Sequence, residues 1–151
     1  NPFPSPEIKK HKERIVQLGD VGRKVILMRD TDGTIIDEPA EHMPLAPFPH
    51  PGGFVDAPTV LYEPLPKERP PYGLYVSSLD DYKHEQSDGD SVGSFHIFKR
   101  DWMDKYSLTV VASYAARPTP HSKFHKQGHL LLEAFNAVCF LKLKIWDLKT
   151  I

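Results

Sequence analysis

Cysteine is nearly missing from this chain: Cys139 is the only one in 151 residues. A single cysteine excludes an internal disulfide and any metal site built on several thiolates, and it gives no disulfide-based argument for secretion. Its neighbours in AVCFLKL are apolar, which fits a small buried hydrophobe better than a reactive thiol. Long apolar runs are missing too. None approaches the roughly 20 residues that cross a bilayer, so no membrane span is expected. The N-terminal NPFPSPEIKKHKERI lacks the apolar core of a signal peptide. The chain begins at Asn1 and not at Met, so a leader or basic arm before it lies outside the reading, and no compartment is indicated. Gly-x-x-x-x-Gly-Lys-Ser/Thr and Gly-x-Gly-x-x-Gly do not occur, so the usual signatures of phosphate-loop enzymes and dinucleotide binders are not present.

What the chain has in excess is proline, 15 residues, about twice the usual share. Ten of them fall in residues 39–71, in phrases such as MPLAPFPHPGGF and PLPKERPPYG. Proline fixes φ and removes a backbone donor, so this stretch favours extended backbone and cannot build a helix. It also holds Met43, Leu45, Phe48, Phe54, Val60, Leu61 and Tyr62, too apolar a set for a free linker. It is expected to lie along a surface of its own domain or of a neighbour.

Elsewhere the runs are strand-like. RKVILMRD, GTIIDE, YGLYVSSL, VGSFHIF and YSLTVVASYA are separated by turn chemistry, and HLLLEAF and AVCFLKLKIWDLKTI close the chain. In the last run apolar residues partly alternate with Lys142, Lys144 and Asp147, as in a strand with one wet face. Near the start, Ser5-Pro6-Glu7 reads as a helix start and Gly19 as its stop, predicting a short helix over 6–18 with Lys9, Lys10, Lys12 and Arg14 on its outer face. The expected fold is a single, mostly β domain over 1–151. Its simplest form is an antiparallel β-sandwich or jelly-roll-like barrel, with the short N-terminal helix and the long extended proline-rich segment 39–71.

Net charge is only −1, but it is laid out in blocks. Residues 1–29 carry seven Lys/Arg against three Asp/Glu, residues 30–90 three against thirteen, and residues 91–151 nine against four. Such a basic, acidic, basic order suits a charged binding face or a self-complementary assembly surface.

Three stretches carry candidate chemistry. ILMRDTDGTIID resembles the first motif of the haloacid-dehalogenase-like phosphatases, through Asp30, Asp32, Gly33, Thr34, Ile35, Ile36 and Asp37. The resemblance implies Asp30 as phosphoryl-accepting nucleophile, Asp32 as general acid/base, Mg²⁺ as the cofactor held by both, and a doubly wound parallel sheet. The same residues also read as a hairpin, because Asp-Gly between two β-prone runs favours a type I′ turn with both central residues at positive φ. The second candidate is a spacing of four in His121, His125 and His129. A short helix started by Thr119-Pro120 and ended by Gly128 would put His121 and His125 on one face, as two-histidine metal sites need, with Glu133 as a further ligand. Lys123, Lys126 and Arg117 in the same segment oppose a metal.

The third is the C-terminal part. FHIFKRDW, SKFHKQGHLLLEAF and LKLKIWDLKTI resemble the end of the coat proteins of single-stranded DNA plant viruses of the geminivirus type. That resemblance implies a jelly roll, with Lys99, Arg100, Lys142 and Lys144 facing nucleic acid. The strongly basic N-terminal arm of that family has no counterpart here. No catalytic constellation is complete. The reading is a non-catalytic subunit of a larger assembly, such as a viral coat-type jelly roll or an accessory subunit draped over a large protein or ribonucleoprotein complex. Its partners would be protein subunits, either copies of itself or a large complex, with nucleic acid as a further candidate. No cofactor is called for outside the phosphatase alternative.

Overall fold

The structure, a computed structural model, describes residues 22–47, 49–82, 91–100 and 108–139, with isolated positions 6, 9, 10 and 13. Apart from those four positions, the helix expected over 6–18 lies outside the described residues, as does the terminal run after Cys139. The described residues form seven strands and one long helix: β1 (Arg23–Arg29), β2 (Ile35–Pro39), β3 (Thr59–Leu61), β4 (Tyr75–Asp80), β5 (Gly93–Arg100), β6 (Leu108–Ala116), α1 (His121–Phe135) and β7 (Val138–Cys139). All seven strands join one open sheet in the order β2-β1-β3-β6-β5-β4-β7. Every pairing is antiparallel except the short parallel one of β7 with β4. The β-rich expectation thus holds at the level of strands. Among the described residues no second sheet faces the first, and the other layer is α1.

The hairpin between β1 and β2 forms, with a different turn from the one the sequence suggests. The Asp30 and Gly33 N–H groups donate to the Thr34 and Asp30 carbonyls, at 2.8 and 3.0 Å. Gly33 has φ 87°, whereas Asp32 stays at negative φ. The loop is therefore Thr31-Asp32-Gly33, a type I turn closed by a left-handed glycine. Only one residue needs positive φ in this geometry, and glycine supplies it without a Cβ clash.

Register sorts the side chains into rows. Val25, Thr59, Tyr114 and Phe95 are paired in sequence across four strands, and all are buried. Leu61, Ala112 and Ile97 form the next buried row on the same face. This is the face that α1 covers. Phe124 lies 5.1 Å from Phe95 and 5.6 Å from Tyr114, ring centre to ring centre, and Phe135 meets Tyr75 at 5.0 Å. Phe124, Gly128, Leu131 and Phe135 make the stripe, with helical spacings of four, three and four.

Two features of α1 depart from the sequence reading. It runs straight through Gly128, and HLLLEAF is helix and not strand. Gly128 is buried because the Phe95 ring presses on it; a Cβ there would sit only 2.1 Å from a ring carbon. The helix ends instead at Asn136, in the left-handed region, whose N–H donates to the Glu133 carbonyl while its side-chain amide donates to Pro70. The proline-rich stretch supplies β3, a strand the sequence reading missed. Pro58 and Pro64 bracket it and keep it short.

Candidate functional site

The sheet leaves β1 with a gap, since β3 pairs only Arg23, Lys24 and Val25. The side-chain amide of Gln127 fills it. Its oxygen accepts the Leu27 N–H at 3.2 Å and its nitrogen donates to the Leu27 carbonyl at 2.8 Å. Gln127 thus acts as one missing peptide of a neighbouring strand and fixes α1 on the sheet.

With α1 so placed, its first two turns reach the end of β4. The Nε2 atoms of His121 and His125 lie 2.8 and 3.0 Å from the two oxygens of the Asp81 carboxylate. One ligand-type atom from each of the three residues lies within 4.8 Å of the others. The spacing of four puts both rings on one helix face, as expected. Tyr82 stands edge-on to His121 at 4.7 Å, and its hydroxyl donates to the Pro118 carbonyl, so the wall behind His121 is fixed. Burial disfavours the charged form of Asp81. The hydrogen bond from His121, the Tyr82 N–H and the positive charge of the two imidazoles outweigh it, so the carboxyl titrates below its ordinary range.

Asp81 had no place in the sequence reading. It lies 40 positions from His121, in the polar DDYKHEQSDGDS after a strand, and no spacing rule connects them. The other members of that reading go elsewhere. His129 is exposed one turn further along and stands outside this group. Glu133 pairs with Arg29 across to β1. Of the three cations that spoke against a metal, Lys123 pairs with Asp56, the buried Arg117 guanidinium donates to the Ser91 carbonyl at 2.7 Å, and Lys126 is exposed on α1.

Asp30 and Asp32 are exposed at the hairpin tip, where each carboxylate accepts a local N–H, from Thr31 and Thr34 respectively. The Thr34 bond lowers the Asp32 pKa. A carboxyl acting as general acid needs a shift the other way. Lys99 and Arg100 are adjacent on β5 and so point to opposite faces of the sheet. Lys99 lies 3.6 Å from Glu63, and Arg100 donates to the Gly73 carbonyl at 3.4 Å. Lys142 and Lys144 lie outside the described residues. Cys139 is half-buried on β7, less enclosed than its apolar neighbours suggest. No helix among the described residues is long and apolar enough to cross a membrane.

A second feature is the sheet face opposite α1. The row Lys24, Val60, Ser113, His96 and Ser78 runs along it. Ile26, Met28 and Ile36 lie on one side of this row, and Val76, Phe98 and Val110 on the other. Met28 and Val110 are 40% and 38% exposed, and Ile26, Ile36, Val60 and Phe98 are only partly covered. His96 bonds Ser113 at 3.0 Å, and burial lowers its pKa. No family model, no curated protein and no solved structure matches the chain.

Proposed function

We propose that the protein is a non-catalytic assembly subunit that docks through the sheet face opposite α1, and that the docking partner is a second copy of the chain. The supporting observation is the half-covered apolar set on that face. An antiparallel sheet with one wet face normally alternates apolar and polar residues cleanly. Here both faces carry apolar side chains, and among the described residues α1 covers only one; on the other, Val76 is buried and Met28 and Val110 are exposed. Two such sheets packed face to face at about 10 Å bury both sets. Lys24 and Glu38 flank the apolar residues on this face with opposite charges, and in a two-fold pairing each has a counterpart to meet. The sandwich expected from the sequence then arises between chains.

The test is sedimentation velocity on the wild type and on the double variant Met28→Lys/Phe98→Lys. The wild type is expected at twice the chain mass and the variant at the chain mass, with unchanged far-ultraviolet circular dichroism. A wild type that stays at the chain mass at high micromolar concentration and low salt sinks the reading.

A further inference from the structure

We propose that Asp81, His121 and His125 form a binding site for a divalent transition ion of the zinc class, which ties the first turns of α1 to the end of β4. The donor set is two imidazole nitrogens and one carboxylate. That set suits zinc, cobalt, nickel or copper better than magnesium or calcium, which prefer all-oxygen shells.

The geometry is close to what such an ion needs. With bonds of about 2.0–2.1 Å, two ligands of a tetrahedral ion stand about 3.3 Å apart. The Nε2 atoms are already 2.8 and 3.0 Å from the carboxylate oxygens. Each imidazole is thus within a few tenths of an ångström of that separation from one carboxylate oxygen, His121 from Oδ1 and His125 from Oδ2, and the three ligand atoms lie within 4.8 Å of one another. Pre-placement comes from three sources. The histidines sit one turn apart on one rigid helix. Their rings meet edge to face at 4.6 Å. Phe124 and Tyr82 hold the His121 ring in place.

Access is open as well: the side chains of His121, His125 and Asp81 are 22%, 34% and 36% exposed. An ion can enter from solvent and keep water as a fourth ligand, which three protein ligands leave room for. Lys123 pairs with Asp56, and the Arg117 guanidinium lies over the ring of Tyr82, the wall behind His121, at 4.7 Å, where it donates to the Ser91 carbonyl. The site lies on the α1 side of the sheet, so it is independent of docking through the other face.

The experiment uses the full chain without a histidine tag, stripped with chelator. Zn²⁺ titrated calorimetrically is expected to bind one ion per chain, with much weaker binding of Mg²⁺ or Ca²⁺. Saturation raises Tm by about 5–10 °C. His125→Ala and Asp81→Asn each lower affinity by about 100-fold or more, while His129→Ala leaves it unchanged. Co²⁺ in the wild type gives visible absorption bands of a low-coordinate nitrogen/oxygen site, a readout that does not depend on any variant folding. Three results overturn the proposal: no Zn²⁺ binding by the wild type at hundred-micromolar ion, a Co²⁺ spectrum of the six-coordinate aqueous type, or one-to-one binding that survives Asp81→Asn and His125→Ala unchanged.

Discussion

At the scale of single residues, Gln127 and His96 show how one polar group on a sheet can be fixed by its surroundings. Gln127 answers both backbone groups of Leu27. Replacing it by leucine, similar in size and a good helix former, leaves a donor and an acceptor orphaned beside a buried strand. Gln127→Leu is therefore expected to destabilise by about 2–4 kcal/mol, read as a lowered urea midpoint at unchanged slope. His96 carries a different signature. Burial makes its imidazole harder to protonate in the folded chain than in the unfolded one. As pH falls, the unfolded chain takes up that proton first. The stability His96 supports is thus complete above the ordinary imidazole value of about 6.5 and declines as pH drops through it towards the folded value. In His96→Gln, urea midpoints between pH 7 and pH 5 should fall less than in the wild type. An equal or steeper fall would contradict the assignment. Neither role was legible beforehand. A glutamine on the inner side of a helix and a histidine in a strand have no pattern that says what they touch.

At the scale of elements, legibility followed periodicity. β1, β2, β4, β5 and β6 were visible as β-prone runs between turns, and a hairpin at Asp32-Gly33 was visible from its turn residues. The turn type was not, because Asp-Gly serves a three-residue loop as well as a two-residue one. The helix was half legible. Pro120 marked its start and His121 and His125 their shared face, but Gly128 read as a stop and HLLLEAF as a strand. The stripe Phe124, Gly128, Leu131 and Phe135 is regular only if the glycine is counted as a core position. What makes it one is Phe95, 33 positions earlier, whose ring fills the space a side chain would take. Gly128→Ala puts two effects in competition. Alanine gains about 1 kcal/mol in helix propensity. A Cβ at 2.1 Å from a ring that is itself 1% exposed forces α1 off the sheet, and overpacking of this kind costs about 1–3 kcal/mol. The clash should win, and a measured gain in Tm would show that Phe95 can move aside.

At the scale of the whole molecule, the charge blocks found in the sequence prove partly internal. Basic residues of the first block and the last reach into the acidic middle: Arg23 pairs with Asp37, Lys99 with Glu63 and Lys123 with Asp56. Exposed pairs of this kind contribute little stability, about 0–1 kcal/mol each, and they leave less net charge for a partner than the sequence suggests. The layering was not legible either. Alternation says that a strand has two faces, not which strands will lie side by side, and the single sheet follows from pairings such as β3 with β6 that span 50 positions or more.

That same pairing divides the chain's assembly in time. Residues 23–61 make one antiparallel trio and residues 75–116 another, each from neighbouring stretches of chain. They meet in the sheet through Thr59, Val60 and Leu61 against Tyr114, Ser113 and Ala112, extended by the Tyr62 N–H onto the Val111 carbonyl and by a bridge of Val55 with Arg117. During synthesis the first trio emerges well before its mate exists, and α1, which locks both, comes later still. The nascent chain must shelter the bare flank of β3 while most of the second trio is still being made. The ten prolines gathered around that strand, unable to donate to a stray partner, suit that interval.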